Sequence, residues 1–126
     1  MEESRDHLLC QCPYTNGTWQ AVLCMCNLSR FILPWSLELQ WLVDHSKGKT
    51  FSAVLRKIAA AATVYHIWME RNRRIFRNGF LPQHDIILKI RAEVVCKFKG
   101  LGPVMDSEKN RSLGENWGIN MADLRN

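Results

Sequence analysis

The order of apolar and polar positions predicts two helices in the first part of the chain. A turn-like cluster at residues 14–17 precedes the first, whose apolar face is expected to consist of Trp19, Val22, Leu23 and Cys26. Pro34 then interrupts an apolar run. A second helix is predicted from Ser36 to His45, and the side chains expected to face its core are Leu39, Leu42 and Val43.

The third predicted helix is the longest and runs from about Ser52 to Arg77. Thr50 or Ser52 can cap its start, and Asn78-Gly79 can end it. One half of its helical wheel is apolar and is expected to pack inward: Val54, Leu55, Ile58, Ala61, Ala62, Tyr65, Trp68, Met69, Ile75 and Phe76. The other half is expected to face solvent: Arg56, Thr63, Glu70, Arg71, Arg74 and Arg77.

A fourth helix is predicted from about Gln83 to Lys99, antiparallel to the third. Its apolar residues at helical spacing are Ile87, Ile90, Val94 and Phe98. Beyond it, glycine and proline interrupt a polar stretch, which predicts a flexible tail over residues 101–126. No pair of strands with a hairpin turn is evident, so the predicted fold is all-α. We expect residues 1–100 to form one small, irregular bundle of about four helices.

Composition and charge narrow the class of protein. The chain has 126 residues, of which 47% are hydrophobic, as in an ordinary globular domain. A net charge of +5 favours an acidic partner, or it reflects only a solvated basic face. The first residues lack an apolar run of signal-peptide type, and no segment is apolar enough to span a membrane. We therefore expect an intracellular protein, nuclear or cytoplasmic, with five reduced cysteines.

The segment 70–77 holds the strongest concentration of charge. It contains one glutamate and four arginines, Arg71, Arg73, Arg74 and Arg77. Guanidinium groups bind phosphate oxygens in pairs, so these four are the candidate RNA or DNA contacts. The alternative is that they interact only with the carbonyl end of their own helix. No nucleophile can be combined with a base and an orienting acid, so the sequence predicts that the protein is not an enzyme.

A second cluster, near the N-terminus, has the residue types of a zinc site. His7, Cys10 and Cys12 lie within six residues, and Cys24 and Cys26 follow on the first predicted helix. A structural zinc site needs four ligands and commonly includes a Cys-x-x-Cys pair, which this chain lacks. The alternative is that the cysteines are small buried apolar residues.

Two stretches together resemble a known family. Glu3 to Pro13, followed by Thr15 and Trp19, is similar to the zinc-binding region at the C-terminal end of plant LINE-type (non-LTR) reverse transcriptases. Residues 60–76 are similar to the helical segment that follows there, with its Tyr-x-x-Trp-x-Glu-Arg-Asn-x-Arg-x-Phe signature. The resemblance covers about residues 2–98 and implies a plant retroelement origin and a role near nucleic acid.

The same resemblance assigns two metal ligands and removes an activity. His7 and Cys12 match the last two zinc ligands of the family, which makes zinc the candidate cofactor. The preceding Cys-x-x-Cys of the family has no counterpart in this sequence, so half of the site is missing. The polymerase and endonuclease portions are also missing, and the resemblance therefore implies no catalysis.

These observations predict a non-catalytic, nucleic-acid-binding accessory fragment derived from a retroelement reverse transcriptase. The alternative is a protein-interaction or self-associating module, because five tryptophans and five methionines can leave apolar surface exposed. A remnant without selected activity is the third reading.

Overall fold

The computed structural model describes residues 13–76, 81–99, 104 and 107–119. These residues form five helices, α1 (Pro13–Met25), α2 (Trp35–His45), α3 (Phe51–Phe76), α4 (Gln83–Phe98) and α5 (Glu108–Trp117). No strand occurs in the described ranges. The predicted all-α fold is therefore confirmed, with one helix more than expected.

Local signals explain where the helices begin and end. The Thr50 hydroxyl accepts the Ala53 N–H at 3.2 Å, so Thr50 is the N-cap of α3. α4 begins directly after Pro82, and α1 is terminated by Asn27, two residues beyond its end, whose φ of 59° is left-handed. The Leu28 N–H then reaches back to the Leu23 carbonyl at 2.9 Å, which completes a Schellman-type cap. The predicted stop at Asn78-Gly79 lies outside the described residues.

The core lies between α3 and α4, and α1 and α5 close it. The Phe51 ring at the start of α3 meets the Phe98 ring at the end of α4 edge-on, with centroids 5.1 Å apart. This contact shows the antiparallel pairing that the sequence predicts. The largest fully buried apolar side chains come from four helices: Val22, Leu23, Leu55, Ile67, Ile86, Ile90, Val94, Phe98, Leu113 and Trp117.

The buried face of α3 differs from the predicted one. Among the residues expected inside, Ala61, Tyr65, Trp68 and Met69 are exposed, and among those expected outside, Thr63 and Glu70 are buried. Each of the two buried polar groups has a hydrogen bond to backbone: Thr63 donates to the Ala59 carbonyl at 2.7 Å, and Glu70 Oε1 accepts the Leu81 N–H at 2.8 Å. The side chains of Arg74, Ile75 and Phe76 lie outside the described part.

The prediction for α2 is also wrong at two of its three positions. Leu39 and Val43 are 43% and 53% exposed, and Leu42 is half-buried. The residue that α2 turns inward is Glu38, which is 1% exposed. Apolar periodicity could not identify this face because a carboxylate, with partners on two other segments, takes the inward position.

The predicted flexible tail is wrong for residues 107–119, because α5 forms there. The Ser107 hydroxyl accepts the Asn110 N–H at 3.1 Å and caps the start of the helix. Gly118, at φ 73°, ends it in the left-handed conformation that glycine adopts without strain. Leu113, Trp117 and Ile119 are buried against the other helices. The remaining tail positions lie outside the described ranges.

Hydrogen bonds fix α5 to two of its neighbours, α1 and α4. The Asn116 side-chain amide donates to the Met25 carbonyl at 3.1 Å and to the Asn27 side-chain oxygen at 2.7 Å. On the α4 side, the Arg91 Nε donates to the Trp117 carbonyl at 2.9 Å. α5 is therefore joined to the end of α1 and to the middle of α4.

None of the described helices has a stretch long and apolar enough to cross a lipid bilayer.

The docked α5 predicts a large stability effect for Trp117→Ala. Trp117 is fully buried, and removing such a ring leaves a cavity that typically costs about 3–5 kcal/mol. We expect the free energy of unfolding in urea to fall by about that amount. Lys109→Ala, at an exposed position of the same helix, is the matched control and should change it by less than about 0.5 kcal/mol. Equal stability of both variants and the wild type would show that α5 is not part of the fold.

Candidate interaction surfaces

Glu38 receives four hydrogen bonds from two neighbouring segments. Its Oε2 accepts from the Trp19 indole N–H at 2.8 Å and from Arg30 Nη1 at 2.7 Å. Its Oε1 accepts from Arg30 Nη2 and from the Leu33 backbone N–H, both at 2.9 Å. The Arg30 pair is bidentate, and its geometry matches the strong fork-to-carboxylate arrangement. One carboxylate therefore joins α1, the α1–α2 loop and α2.

The surroundings of Glu38 keep it ionised. Burial alone would raise the pKa of Glu38, but the hydrogen bonds from Arg30, Leu33 and Trp19 outweigh burial and lower the pKa below its usual value of 4.5. The Arg30 guanidinium also lies over the Trp41 ring, 4.1 Å from its centroid. Arg30 is thereby held between a carboxylate and an aromatic face, and its charge is matched inside the protein.

An open groove of about 530 Å³ lies between α2 and α3, above this carboxylate. Aromatic and aliphatic side chains from three helices line it: Trp19, Leu39, Leu42, Ala60, Ala61, Val64, Tyr65 and Trp68. Glu38 is the one charged residue among its described lining, and that charge is already paired. Tyr65 and Trp68, expected in the core from their position on the α3 wheel, instead form part of this surface.

The arginines predicted to bind nucleic acid occupy unlike positions. The Arg71 guanidinium lies 5.6 Å from the centroid of the Trp68 ring, within cation–π range. Arg73 Nε lies 4.0 Å from the Glu70 carboxylate, one turn earlier on the helix. The side chain of Arg74, and all of Arg77, lie outside the described residues. The structure therefore places two of the four at the end of α3 and leaves the other two as predictions.

A second basic surface, which we call the lysine end, lies at the opposite end of α3. It consists of six side chains from the α2–α3 loop, the first turns of α3 and the last turn of α4: Lys47, Lys49, Arg56, Lys57, Lys97 and Lys99. The contact between Phe51 and Phe98 brings these segments together. The Lys57 ammonium donates to the Gly48 carbonyl at 3.1 Å, and Arg56 donates to the His45 carbonyl.

Sequence reasoning missed this surface because its lysines lie in two segments about 50 residues apart. Asp44 is the one acidic residue in positions 44–57, and positions 95–99 contain none. The signal that could have found the lysine end was the predicted antiparallel pairing of the third and fourth helices. That pairing requires the end of one helix to lie beside the start of the other.

The predicted zinc ligands His7 and Cys12 lie outside the described residues, as does Cys10. Within the described ranges, no three His, Cys, Asp or Glu side chains are close enough to hold a metal ion. Burial raises the pKa of the Cys26 thiol to about 11, although nearby Arg56 and Trp117 lower it in part. Cys26 is therefore a protonated core residue, and Cys24 is exposed.

Comparison with known proteins identifies no relative. No family model, no curated protein and no solved structure matches the chain.

The Glu38 cluster predicts a specific loss of stability in acid. Because the pKa of Glu38 is lower in the folded protein than in the unfolded chain, its contribution is complete above pH 4.5 and is lost as pH falls through the folded-state value. Glu38→Gln should lower the free energy of unfolding at pH 7 by about 1.5–3 kcal/mol, the usual range for hydrogen bonds to a charged group. The difference from the wild type should shrink as the pH falls below 4.5.

Urea denaturation at a series of pH values measures this difference. Glu115→Gln, at an exposed position of α5, is the control and should follow the wild type throughout. A Glu38→Gln variant that matched the wild type at pH 7 would contradict the assigned role of the carboxylate.

Proposed function

We propose that the protein is a non-catalytic nucleic-acid-binding fragment that contacts phosphates mainly through the lysine end. The observation that carries this proposal is the convergence of Lys47, Lys49, Lys97 and Lys99, all exposed, from the α2–α3 loop and the end of α4 onto one end of the bundle. Clustered cations of this kind attract a polyanion over several ångströms and release its counterions on binding.

The lysine end suits phosphate contact and carries no arrangement for reading bases. Its five exposed lysines are flexible point charges, which contact backbone phosphates without a fixed geometry. Such contacts position a protein on nucleic acid, whereas sequence is read by groups aimed at base edges. We therefore expect binding with little sequence preference.

Two further features support the proposal. Arg71 and Arg73 give the far end of α3 a basic character of its own, and Arg74 and Arg77 follow them in the sequence. Residues 60–76 also resemble a segment of LINE-type reverse transcriptases. That resemblance favours a role near nucleic acid that the chain would have inherited from a retroelement.

Salt dependence and charge removal test the proposal directly. The combined variant Lys47→Ala, Lys49→Ala, Lys97→Ala and Lys99→Ala should bind labelled oligonucleotides at least about tenfold more weakly at low salt. The slope of log affinity against log salt should fall by about 0.7–0.9 for each phosphate contact that is lost. Fluorescence anisotropy with single- and double-stranded RNA and DNA measures both quantities.

Two double variants matched in charge separate the lysine end from net charge alone, because Lys97→Ala with Lys99→Ala should weaken binding more than Lys89→Ala with Lys109→Ala. Lys89→Ala with Lys109→Ala removes two exposed lysines from other parts of the surface and should leave the affinity within about twofold of the wild type. Alanine at Arg71, Arg73, Arg74 and Arg77 measures the contribution of the other end. The proposal fails if the wild type does not bind at low salt, or if affinity survives removal of both basic sets.

A further inference from the structure

The groove between α2 and α3 has a helical repeat whose apolar middle the nucleic-acid proposal does not use. Along the solvent-facing side of α3, Lys57, Ala61, Val64, Trp68 and Arg71 follow one another at spacings of four, three, four and three residues. This is the a/d spacing of a coiled-coil heptad. We call these five residues the α3 seam.

The α3 seam is apolar in its middle and open to solvent. Val64 is 39% exposed and Trp68 is 48% exposed. Ala61, nearer the start of α3, is also exposed. Leu39 on α2 is 43% exposed and forms the facing wall of the groove. Core positions of a helix are normally covered by another element, but none of the described helices lies over this stretch.

The two ends of the seam are both positive. Lys57 stands at the loop end, and Arg71 stands 14 residues later, roughly 21 Å along the helix axis. Between them the groove offers no unpaired charge, because the Glu38 carboxylate is held by Arg30. The groove is therefore apolar, and the α3 seam along it has a cation at each end.

We propose that the groove binds an amphipathic helix of another protein, with apolar residues at heptad spacing and acidic residues near both of its ends. The apolar anchors would lie against Val64, Trp68 and Leu39, and the acidic residues would meet Lys57 and Arg71. This proposal does not rest on nucleic-acid binding, because its apolar anchors belong to neither basic surface and only Lys57 and Arg71 are shared with them.

Charge complementarity selects this occupant over a second copy of the chain. In an antiparallel homodimer through the α3 seam, Lys57 would face Arg71 of the other copy at each end. In a parallel homodimer, Lys57 would face Lys57 and Arg71 would face Arg71. Both arrangements place like charges together in a desolvated contact, whereas acidic helix ends place opposite charges there.

A pair of synthetic peptides tests the proposal on the full chain. Each has about 18 residues with leucine at a and d positions, and one carries glutamate at both ends where the other carries lysine. Fluorescence anisotropy of the labelled peptides, at a concentration where they are monomeric, should show the glutamate peptide binding at least about tenfold more tightly at low salt. Equal affinity for the two peptides overturns the proposal.

Variants of the seam identify the surface. Val64→Asp should weaken binding of the glutamate peptide by at least about tenfold, whereas Met69→Asp, a comparably exposed apolar position outside the groove, should not. Lys57→Glu with Arg71→Glu should reverse the preference and favour the lysine peptide, a gain of binding that misfolding cannot produce. Loss of binding in Met69→Asp as well, or an unchanged preference in the charge-swapped variant, would count against the groove.

The same variants test two competing occupants of the groove, a second copy of the chain and a nucleic acid. Sedimentation equilibrium should show a monomer, and a dimer that Val64→Asp dissociates would mean that the groove binds a second copy. A single-stranded oligonucleotide should not displace the glutamate peptide from the variant that lacks Lys47, Lys49, Lys97 and Lys99. Displacement there would assign the groove to nucleic acid. Neither result depends on whether the lysine end itself binds nucleic acid.

Discussion

The position of α2 depends on a buried carboxylate more than on apolar contact. Glu38 is the only fully buried side chain that the described part of α2 contributes, and it is held by donors from Trp19, Arg30 and Leu33. A carboxylate without these donors would be costly to bury, and the donors without it would lose their partner. The cluster therefore fixes α2 against α1 and, through α2, sets the width of the groove.

The consecutive alanines of α3 explain how one helix can serve two neighbours. Ala59 and Ala62 are buried and allow α1 and α4 to approach closely. Ala60 and Ala61 are on the other side and form part of the groove. Larger side chains at these positions would fill the groove or push the core apart. The same run of small residues thus supports both the packing and the open surface.

The sequence predicts the helices well and their surroundings less well. α3 and α4 could be predicted because strong periodicity coincides with Thr50 as a cap and Pro82 as a start signal. The inward face of α2 could not, since an amphipathic pattern shows which side is apolar and not what covers it. α5 was missed because glycine content outweighed the cap signals of Ser107 and Gly118.

The candidate surfaces also differ in whether the sequence alone could predict them. The arginines of α3 are contiguous in sequence and could be found there, and the i, i+3 spacing of Trp68 and Arg71 indicates their contact. The lysine end requires two distant segments to meet, and the groove requires knowing that α2 leaves Val64 and Trp68 uncovered. Such information depends on tertiary packing, which local patterns do not contain.

The hydrogen bonds from Asn116 to the residues at the end of α1 have a consequence for how the chain folds. They join residues 91 and 89 positions apart, among the most distant contacts that the helices make. Contacts of such long sequence separation carry a high loop-closure entropy and form late. On a ribosome, α1, α3 and α4 can pair before α5 has been synthesised, and their core then remains open at the site of Trp117. The docking of α5 then completes the fold.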